Sequence, residues 1–430
     1  MIASGDTIAA IATGAGVSAI GIIRLSGPRA IEIADGAFRA FGGTKMAQAP
    51  DRKLCYGELV TRAGVVDICL CTVSRAPNSY TGEDTAEFQC HGSPTVLAEG
   101  LRAVFALGAR QARAGEFTKR AFLGGHMDLT QAEAVADIIE AQSAEAARNA
   151  AGQLAGAIRT KIEGIYESLL DVIVHFFAVI DYPDEEIDAF ETEEYLKLLA
   201  ETTEELRRMQ ATYERGSVVR DGVSSAIIGL PNVGKSSLLN ALVGFDRAIV
   251  ADTAGTTRDT IDEKLNIGGV LLRLTDTAGI RAAHDSAESQ GVARARAAAA
   301  AADLVIAVFD GSRPLTVHDE EVVALAAGAR HSIAAINKSD LPPAFGASAL
   351  GASFEAVISL SARTGAGIDS FVRAVSAIYP AGSPSSAAGE LITNGRHHEA
   401  IGRALESMGS AREALAAGIT PDAALSELEA

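Results

Sequence analysis

Short apolar and β-branched runs alternate with turns over the first part of the chain, a pattern that predicts strands. Ala19–Leu25, Val65–Val73 and Ala86–Cys90 are such runs, the first closing on Ser26-Gly27-Pro28. Helical stretches are expected around Arg29–Phe41 and Pro94–Leu107, which makes residues 1 to about 120 an α+β domain. From Thr130 to about Arg215 the pattern turns helical: Ala, Glu and Leu dominate, and Gln131–Ala141 carries Ala and Ile at helical spacing. Pro183, inside the acidic stretch Asp181–Glu186, cannot continue a helix. A second amphipathic helix, Glu193–Tyr213, is expected to end at Arg215-Gly216. Strand-like runs return at 225–229, 270–275, 332–336 and 356–359, and the Ala-rich tract Ala295–Ala302 reads as an ordinary helix. A Ser/Gly/Pro-rich linker at 381–389 leads to a last helix, Asn394–Ala417. The expected organisation is a domain over 1–120, a helical part over 121–219, an α/β domain over 220–379, and a second helical part over 380–430.

Composition narrows this little. A chain of 430 residues with 48% hydrophobic residues is too long for one core and should form about three units. The formal net charge of −18 speaks against a chain coated in basic patches, leaving room for a local groove, and the absence of tryptophan with 5% aromatics gives no sign of a base-stacking platform. Cys55, Cys69, Cys71 and Cys90 show no CxxC spacing, which fits a reduced, cytoplasmic setting. Cys69 and Cys71 share one strand face and read as small buried hydrophobes. The adjacent His397 and His398 face different ways on a helix, so a joint metal site is not expected. The start of the chain has Asp6 where a secretory leader would be basic. The run Leu169–Ile180 is interrupted by Asp171 and His175, so no membrane span is expected.

The chemistry lies in the α/β part. Gly229-Leu-Pro-Asn-Val-Gly234-Lys235-Ser236 has the phosphate-loop spacing GxxxxGK[ST], after an apolar run and before the helical Leu238–Leu242. Such glycines let the amides of Asn232, Val233, Gly234, Lys235, Ser236 and Ser237 converge on a triphosphate, helped by the helix N-terminus. Lys235 would reach the β/γ-phosphates, and the Ser236 hydroxyl would sit on Mg²⁺. Thr253-Ala254-Gly255-Thr256-Thr257 suits a loop closing over the γ-phosphate, with Thr257 as a second Mg²⁺ hydroxyl. Asp276-Thr277-Ala278-Gly279 follows a strand, placing Asp276 to hold Mg²⁺ through water and the Gly279 amide to meet the γ-phosphate.

Guanine is the expected base. Asn337-Lys338-Ser339-Asp340 follows a buried strand, and the Asp340 carboxylate can accept from guanine N1–H and the exocyclic amine. Adenine lacks that donor pair and would leave the carboxylate unpaired. Lys338 would lie along base and ribose, and a backbone amide of Ser361-Ala362-Arg363 would meet guanine O6. The position after Asp276–Gly279, where many small GTPases carry a water-orienting Gln, is Ile280, and a hydrocarbon cannot align water. Glu288, in the following loop, is the candidate replacement, so Lys235 and Glu288 are the candidate catalytic pair. Asn232 could coordinate a monovalent cation between the phosphates, with Arg258 a rival source of charge.

Three further stretches, Gly21–Pro28, Asn78–Asp84 and Ala114–Leu123 running on to Asp128–Ala134, stand in order with residues 229–240 and 254–260. Together they resemble the tRNA modification GTPase family (MnmE, also written TrmE) over residues 1 to about 410. The resemblance implies an N-terminal folate-binding-like domain that forms a homodimer and a helical bundle interrupted by a Ras-like P-loop GTPase domain. It implies formyl-tetrahydrofolate as a one-carbon source, with Arg24 and Glu83 at positions associated with that pocket. His126, a third candidate there, stands where many relatives carry lysine. The resemblance also implies K⁺-dependent GTP hydrolysis, with Asn232, Ala251, Thr253 and Thr256 around the cation and Glu288 a base acting through water. The implied partner is the flavoprotein MnmG, in a heterotetramer that modifies the wobble uridine of certain tRNAs. The family's Cys-Ile/Leu-Gly-Lys tail has no counterpart here, since no cysteine follows Cys90. A tail-assisted folate contact is therefore not assigned. Two rivals stay open: a GTP-switched RNA or ribosome assembly factor, and a tail-less GTPase without tRNA-modifying activity.

Overall fold

The computed structural model describes residues 5–181, 192–245, 263–274, 296–380 and 388–417. They fall into two compact units, Met1–Ala136 and Asp137–Ala430. In the first, the alternating runs form strands β1 (Ile8–Ile11), β2 (Ile20–Ser26), β3 (Phe38–Ala40), β4 (Cys55–Thr61), β5 (Gly64–Ser74), β6 (Thr85–His91) and β7 (Arg110–Gln111). Among the described residues they make one sheet of order β3-β4-β5-β6-β2-β1-β7, antiparallel except for the β1–β7 pair. Helices α1 (Ala30–Ala37) and α2 (Pro94–Ala106) cover one face. Ile33, Leu97 and Val104 of these helices pack there against Ile23, Leu25, Leu59, Cys69, Cys71, Phe88 and Cys90. The alternation thus buries Cys69 and Cys71 as small apolar groups, and burial pushes the Cys71 thiol up, away from the reactive thiolate.

The helix expected over Arg29–Phe41 is a correction: it stops at Ala37 because Phe38–Ala40 pairs with Gly57–Leu59. Pairing as a strand turns the Phe38 ring into the core, 6.3 Å from that of Phe88.

Helices α3 (Glu116–Leu123) and α4 (Leu129–Glu140) follow the sheet. Glu116 and Arg120 stand one turn apart on α3 and face the same side. Arg120, with a side chain only 3% exposed, donates to Asp6 at 2.7 Å and to Glu83 at 3.0 Å. Arg110 grips Glu116 at 2.5 Å and Asp6 at 2.5 Å. Five charges from four stretches of sequence are joined in one network.

The second unit opens with α5 (Ala144–Leu154), α6 (Ala157–Asp181), α7 (Thr192–Ala211) and α8 (Tyr213–Asp221). The expected helix end at Arg215-Gly216 is a second correction, since both residues lie inside α8. Gly216 serves close approach here: an added Cβ would strike the Ile392 carbonyl. The helical run ends instead at Gly222, with φ +75°. Strand β8 (Val223–Ile228), helix α9 (Lys235–Phe245), and strands β9 (Glu263–Ile267), β10 (Val270–Leu274) and β11 (Leu304–Asp310) come next. Then follow α10 (Val317–Ala326), β12 (His331–Asn337), β13 (Ala356–Ser359), α11 (Ile368–Ile378) and α12 (Gly395–Ala416). Residues 296–301 of the Ala-rich tract are helical, as expected.

The described strands of this unit form a sheet of order β13-β12-β11-β8-β10-β9, parallel apart from β9. Its central strands β11 and β12 are apolar and buried over most of their length because both faces are covered. Along β11, Leu304, Ile306 and Val308 face the core shared with α9 and α11, while Val305, Ala307 and Phe309 face that shared with α10.

The sequence after this sheet returns to the helices before it. Ile158, Val172, Phe176, Leu199, Leu206 and Met209 share one core with Ile392, Ile401, Met408 and Leu415. Gln153 Nε2 donates to the Leu391 carbonyl at 2.7 Å, and the Leu391 amide donates to Asn149 Oδ1 at 3.3 Å. The α/β part is therefore an insertion in a helical bundle. Among the described residues, no helix is long and apolar enough to cross a membrane, and no group of three or more His, Cys, Asp or Glu is placed to hold a metal.

Candidate functional site

In a parallel sheet, the loops leaving the carboxyl ends of the strands share one edge. Here those loops are 229–234 after β8, 310–313 after β11, 337–340 after β12 and 360–363 after β13. The chemistry-bearing residues are thus gathered by topology.

The loop after β8 is a tight cradle. Gly229 has φ +148° and passes so close to β11 that a Cβ would strike the Val308 carbonyl. Asn232 takes φ +64°, uncommon outside glycine, and its side chain stands at the exposed mouth. Val233, 1% exposed, anchors the underside of the loop in the core. Gly234 has φ +98°, and a Cβ there would strike the Asn337 amide. Helix α9 begins at Lys235, so the loop opens directly onto a helix N-terminus, whose dipole favours an anion. Lys235 Nζ donates to the carbonyls of Gly229 at 2.8 Å and Leu230 at 2.9 Å. Burial lowers its pKa, which marks a cation held in a desolvated hollow. Glycines where a side chain would collide, a partly buried cation and the start of a helix fit a bound phosphate chain.

Asn337 joins the phosphate loop to the base-side loops. Its Nδ2 donates to the Val233 carbonyl at 2.9 Å, and its Oδ1 accepts from the Ala362 amide at 3.0 Å and the Lys338 amide at 2.8 Å. Lys338 Nζ meets Asp310 Oδ2 at 2.6 Å. Asp340 accepts from the Ser361 hydroxyl at 2.6 Å and pairs with Arg363 at 2.6 Å. The Ser361 hydroxyl, followed by the Arg363 charge, holds the Asp340 carboxyl below its ordinary range, so it remains an acceptor at neutral pH. The structure thus brings Asn232, Val233, Gly234, Lys235, Ser236, Ser237, Asn337, Lys338, Asp340, Ser361, Ala362 and Arg363 to one sheet edge. Ala251, Thr253, Ala254, Gly255, Thr256, Thr257, Arg258, Asp276, Thr277, Ala278, Gly279 and Glu288 lie outside the described residues.

In the first unit, Arg24 and Ser26 lie on one face of β2, opposite the helix-covered core. Arg24 pairs with Glu87 at 2.7 Å, and its guanidinium stands 5.4 Å from the Tyr80 ring centre and 5.8 Å from that of Phe117. Glu83 accepts from Ser26 Oγ at 2.6 Å besides its bonds to Arg120. The exposed His126 ring lies against Gly82, the neighbour of Glu83 in sequence. Arg24 and Glu83 therefore serve the same sheet face, each already holding a partner. Sequence reasoning missed Arg120, Tyr80, Phe117 and Glu87 as their supports. The Glu116/Arg120 spacing of four was the available signal.

A family profile described as the MnmE helical domain matches residues 129–430, and one described as the GTP-binding protein TrmE N-terminus matches residues 7–126. A tRNA modification GTPase MnmE of Thermoanaerobacter pseudethanolicus is 39% identical over 429 residues, covering 99% of this chain and 93% of that protein. The protein of the same description from Roseiflexus sp. is 41% identical over 428 residues, covering 97% and 91%. That from Clostridioides difficile is 37% identical over 412 residues, covering 95% and 90%.

Proposed function

The chain belongs to the MnmE family of tRNA modification GTPases, and from that premise we propose K⁺-dependent GTP hydrolysis coupled to modification of the wobble uridine of certain tRNAs. The observation that supports it most is the Asn337 amide, which ties the phosphate loop at Val233 to the base-side loop at Ala362. Triphosphate and base are then gripped by one stiff frame, which is what positioning catalysis of phosphoryl transfer requires.

Within that frame, Lys235 gives up the Gly229 and Leu230 carbonyls for phosphate oxygens as nucleotide enters, and the amides of residues 232–237 surround the β-phosphate. Asp340 reads guanine through N1–H and the exocyclic amine. Glu288 orients the attacking water, the task that Ile280 cannot perform. The Ser236 and Thr257 hydroxyls would hold magnesium, which when bound would neutralise charge on the phosphate oxygens. Asn232, with Ala251, Thr253 and Thr256, would hold a potassium ion, which when bound would supply the positive charge that an arginine supplies elsewhere.

One turnover assay checks these roles together. GTP is expected to be hydrolysed and ATP not, K⁺ to support the rate and Na⁺ not, and Glu288→Ala to bind GTP yet lose about a hundredfold or more in kcat. Equal rates with GTP and ATP would remove Asp340 as the base reader. Equal rates in K⁺ and Na⁺ would remove Asn232 as a cation ligand, and near-parental turnover would remove Glu288 from the chemistry.

On the first unit, Arg24, Glu83 and His126 form the proposed folate pocket. Formyl-tetrahydrofolate, when bound, supplies the one-carbon unit. Arg24, steadied by Glu87 and two aromatic rings, presents a guanidinium suited to a carboxylate, and Glu83 presents a carboxylate suited to a pterin edge. The homodimer and the MnmG flavoprotein complete the proposed assembly, in the cytoplasm. Labelled formyl-tetrahydrofolate is expected to bind the parent and not Arg24→Ala. Nucleoside analysis of tRNA from a strain relying on this protein is expected to show the modified wobble uridine. Unmodified tRNA with intact GTP turnover would favour the rival reading of a GTPase without tRNA chemistry.

A further inference from the structure

Strands β11 and β12 run in parallel register, which sets Asp310, at the end of one, beside Asn337, at the end of the other. The Asp310 side chain is 11% exposed. Its Oδ1 accepts from the Ser312 amide at 3.0 Å and the Ser312 hydroxyl at 2.6 Å, and its Oδ2 accepts from Lys338 Nζ at 2.6 Å. The carboxylate is thus fixed by its own turn and offers the free oxygen to the lysine. Burial alone would push its pKa up. The Lys338 ammonium and the Ser312 donors outweigh that, and the group stays ionised well below neutral pH. Lys338 itself has φ +66°, so the origin of its side chain is set by the backbone and its far end by Asp310.

Lysine carries two different surfaces, a stem of four methylenes and a strongly hydrated ammonium. An untethered ammonium would draw the stem into solvent or toward the phosphate cradle, where Lys235 already supplies the cation. The geometry points to Asp310 as a positioning residue that pins the Lys338 ammonium at the sheet edge and leaves the stem as a floor for the purine. This rests on the guanine-nucleotide reading above and deepens it. Base affinity acquires a component blind to the polar edge of the purine, set by Asp310 through Lys338. It is separate from the edge-reading component at Asp340.

The two components separate with GDP and IDP, whose hypoxanthine keeps N1–H and lacks the exocyclic amine. Calorimetric titration of the full chain with each nucleotide in Mg²⁺ is expected to show Asp310→Asn binding both about tenfold more weakly, the loss of a charge-assisted hydrogen bond. The GDP/IDP ratio should stay parental, and in GTP turnover the loss should fall on KM with kcat kept. Lys338→Ala should weaken both nucleotides in the same way, and adding Asp310→Asn to it should cost nothing further, since the carboxylate then has nothing to hold. Parental affinity in Asp310→Asn, a loss confined to kcat, or a further loss in the double variant would overturn the inference. Should Asp310→Asn fail to fold, unchanged binding of both nucleotides by Lys338→Ala overturns it equally. A parent that binds neither nucleotide overturns the guanine reading itself, an outcome distinct from a binding parent with an indifferent Asp310→Asn.

Discussion

Gly234→Ala is expected to weaken guanine nucleotide binding by about a hundredfold or more. Gly234 has φ +98°, a backbone that L side chains rarely adopt, and its missing Cβ leaves the space occupied by the Asn337 amide. Backbone strain of about 1–3 kcal/mol would add to the loss of a buried hydrogen bond, another ~1–3 kcal/mol, once Asn337 Nδ2 is pushed off the Val233 carbonyl. The same push disturbs the Asn337 Oδ1 bonds to the Lys338 and Ala362 amides, so both halves of the site loosen together. Gly244→Ala is the matched control. Gly244 lies in α9, where an added Cβ meets nothing, so that variant should bind as the parent does. Titration of a fluorescent GDP analogue checks both, with far-UV ellipticity showing that each remains folded. Parental affinity in Gly234→Ala would mean that the contact between the two loops carries no binding energy.

That double role of Gly234 shows where the sequence stops speaking. The phosphate loop was readable because glycines, lysine and serine stand at fixed covalent spacing, and the strand-loop-helix around it followed from apolar patterning. The base-reading tetrapeptide was readable for the same reason. The amide bridge between the two was not, because Asn337 and Val233 are 104 residues apart and meet only through the strand order β12-β11-β8. Asp310 was invisible for a related reason. Leu304–Asp310 carries no motif, and its terminal carboxylate acquires meaning from parallel register with β12. Arg215-Gly216 misled because glycine after a basic residue is the usual mark of a helix end. At this position it is needed for contact with Ile392, and that requirement sits 176 residues away in sequence. Local chemistry is written locally, whereas the supports that hold it are written in pairs distant along the chain.

Arg120→Met is expected to cost the first unit about 3 kcal/mol, the lower end of what removing one partner of a buried ion network costs. Arg120 is the hub, 3% exposed, with Asp6, Glu83 and Glu116 around it. Methionine keeps much of the stem packing and leaves the carboxylates facing one another. The lower end applies because Asp6 and Glu83 are each 33% exposed and water takes up part of the loss. Hydrogen exchange at the amides of β1, β2 and β7 should therefore quicken by more than about a hundredfold, while amides of β11 and β12 keep their parental rates. Arg29, in an exposed pair with Glu32, should be replaceable by Met without change. The pH dependence follows from the same groups. The Arg110 hydrogen bonds hold Glu116 down to about 2 from its ordinary 4.5, and Asp6 is also lowered. Both carboxylates bind protons more readily unfolded than folded, so the stability they lend is complete above about pH 4.5 and drains away as the pH falls toward about 2. Parental protein should show exchange in the first unit rising steeply across that window, and Arg120→Met a shallower rise from a faster start, since less interaction is left to titrate. Equal protection in parent and variant at neutral pH would mean that Arg120 is a bystander to the fold; in that case Glu83 would owe its placement on the sheet face to Ser26, Ser79 and Thr81.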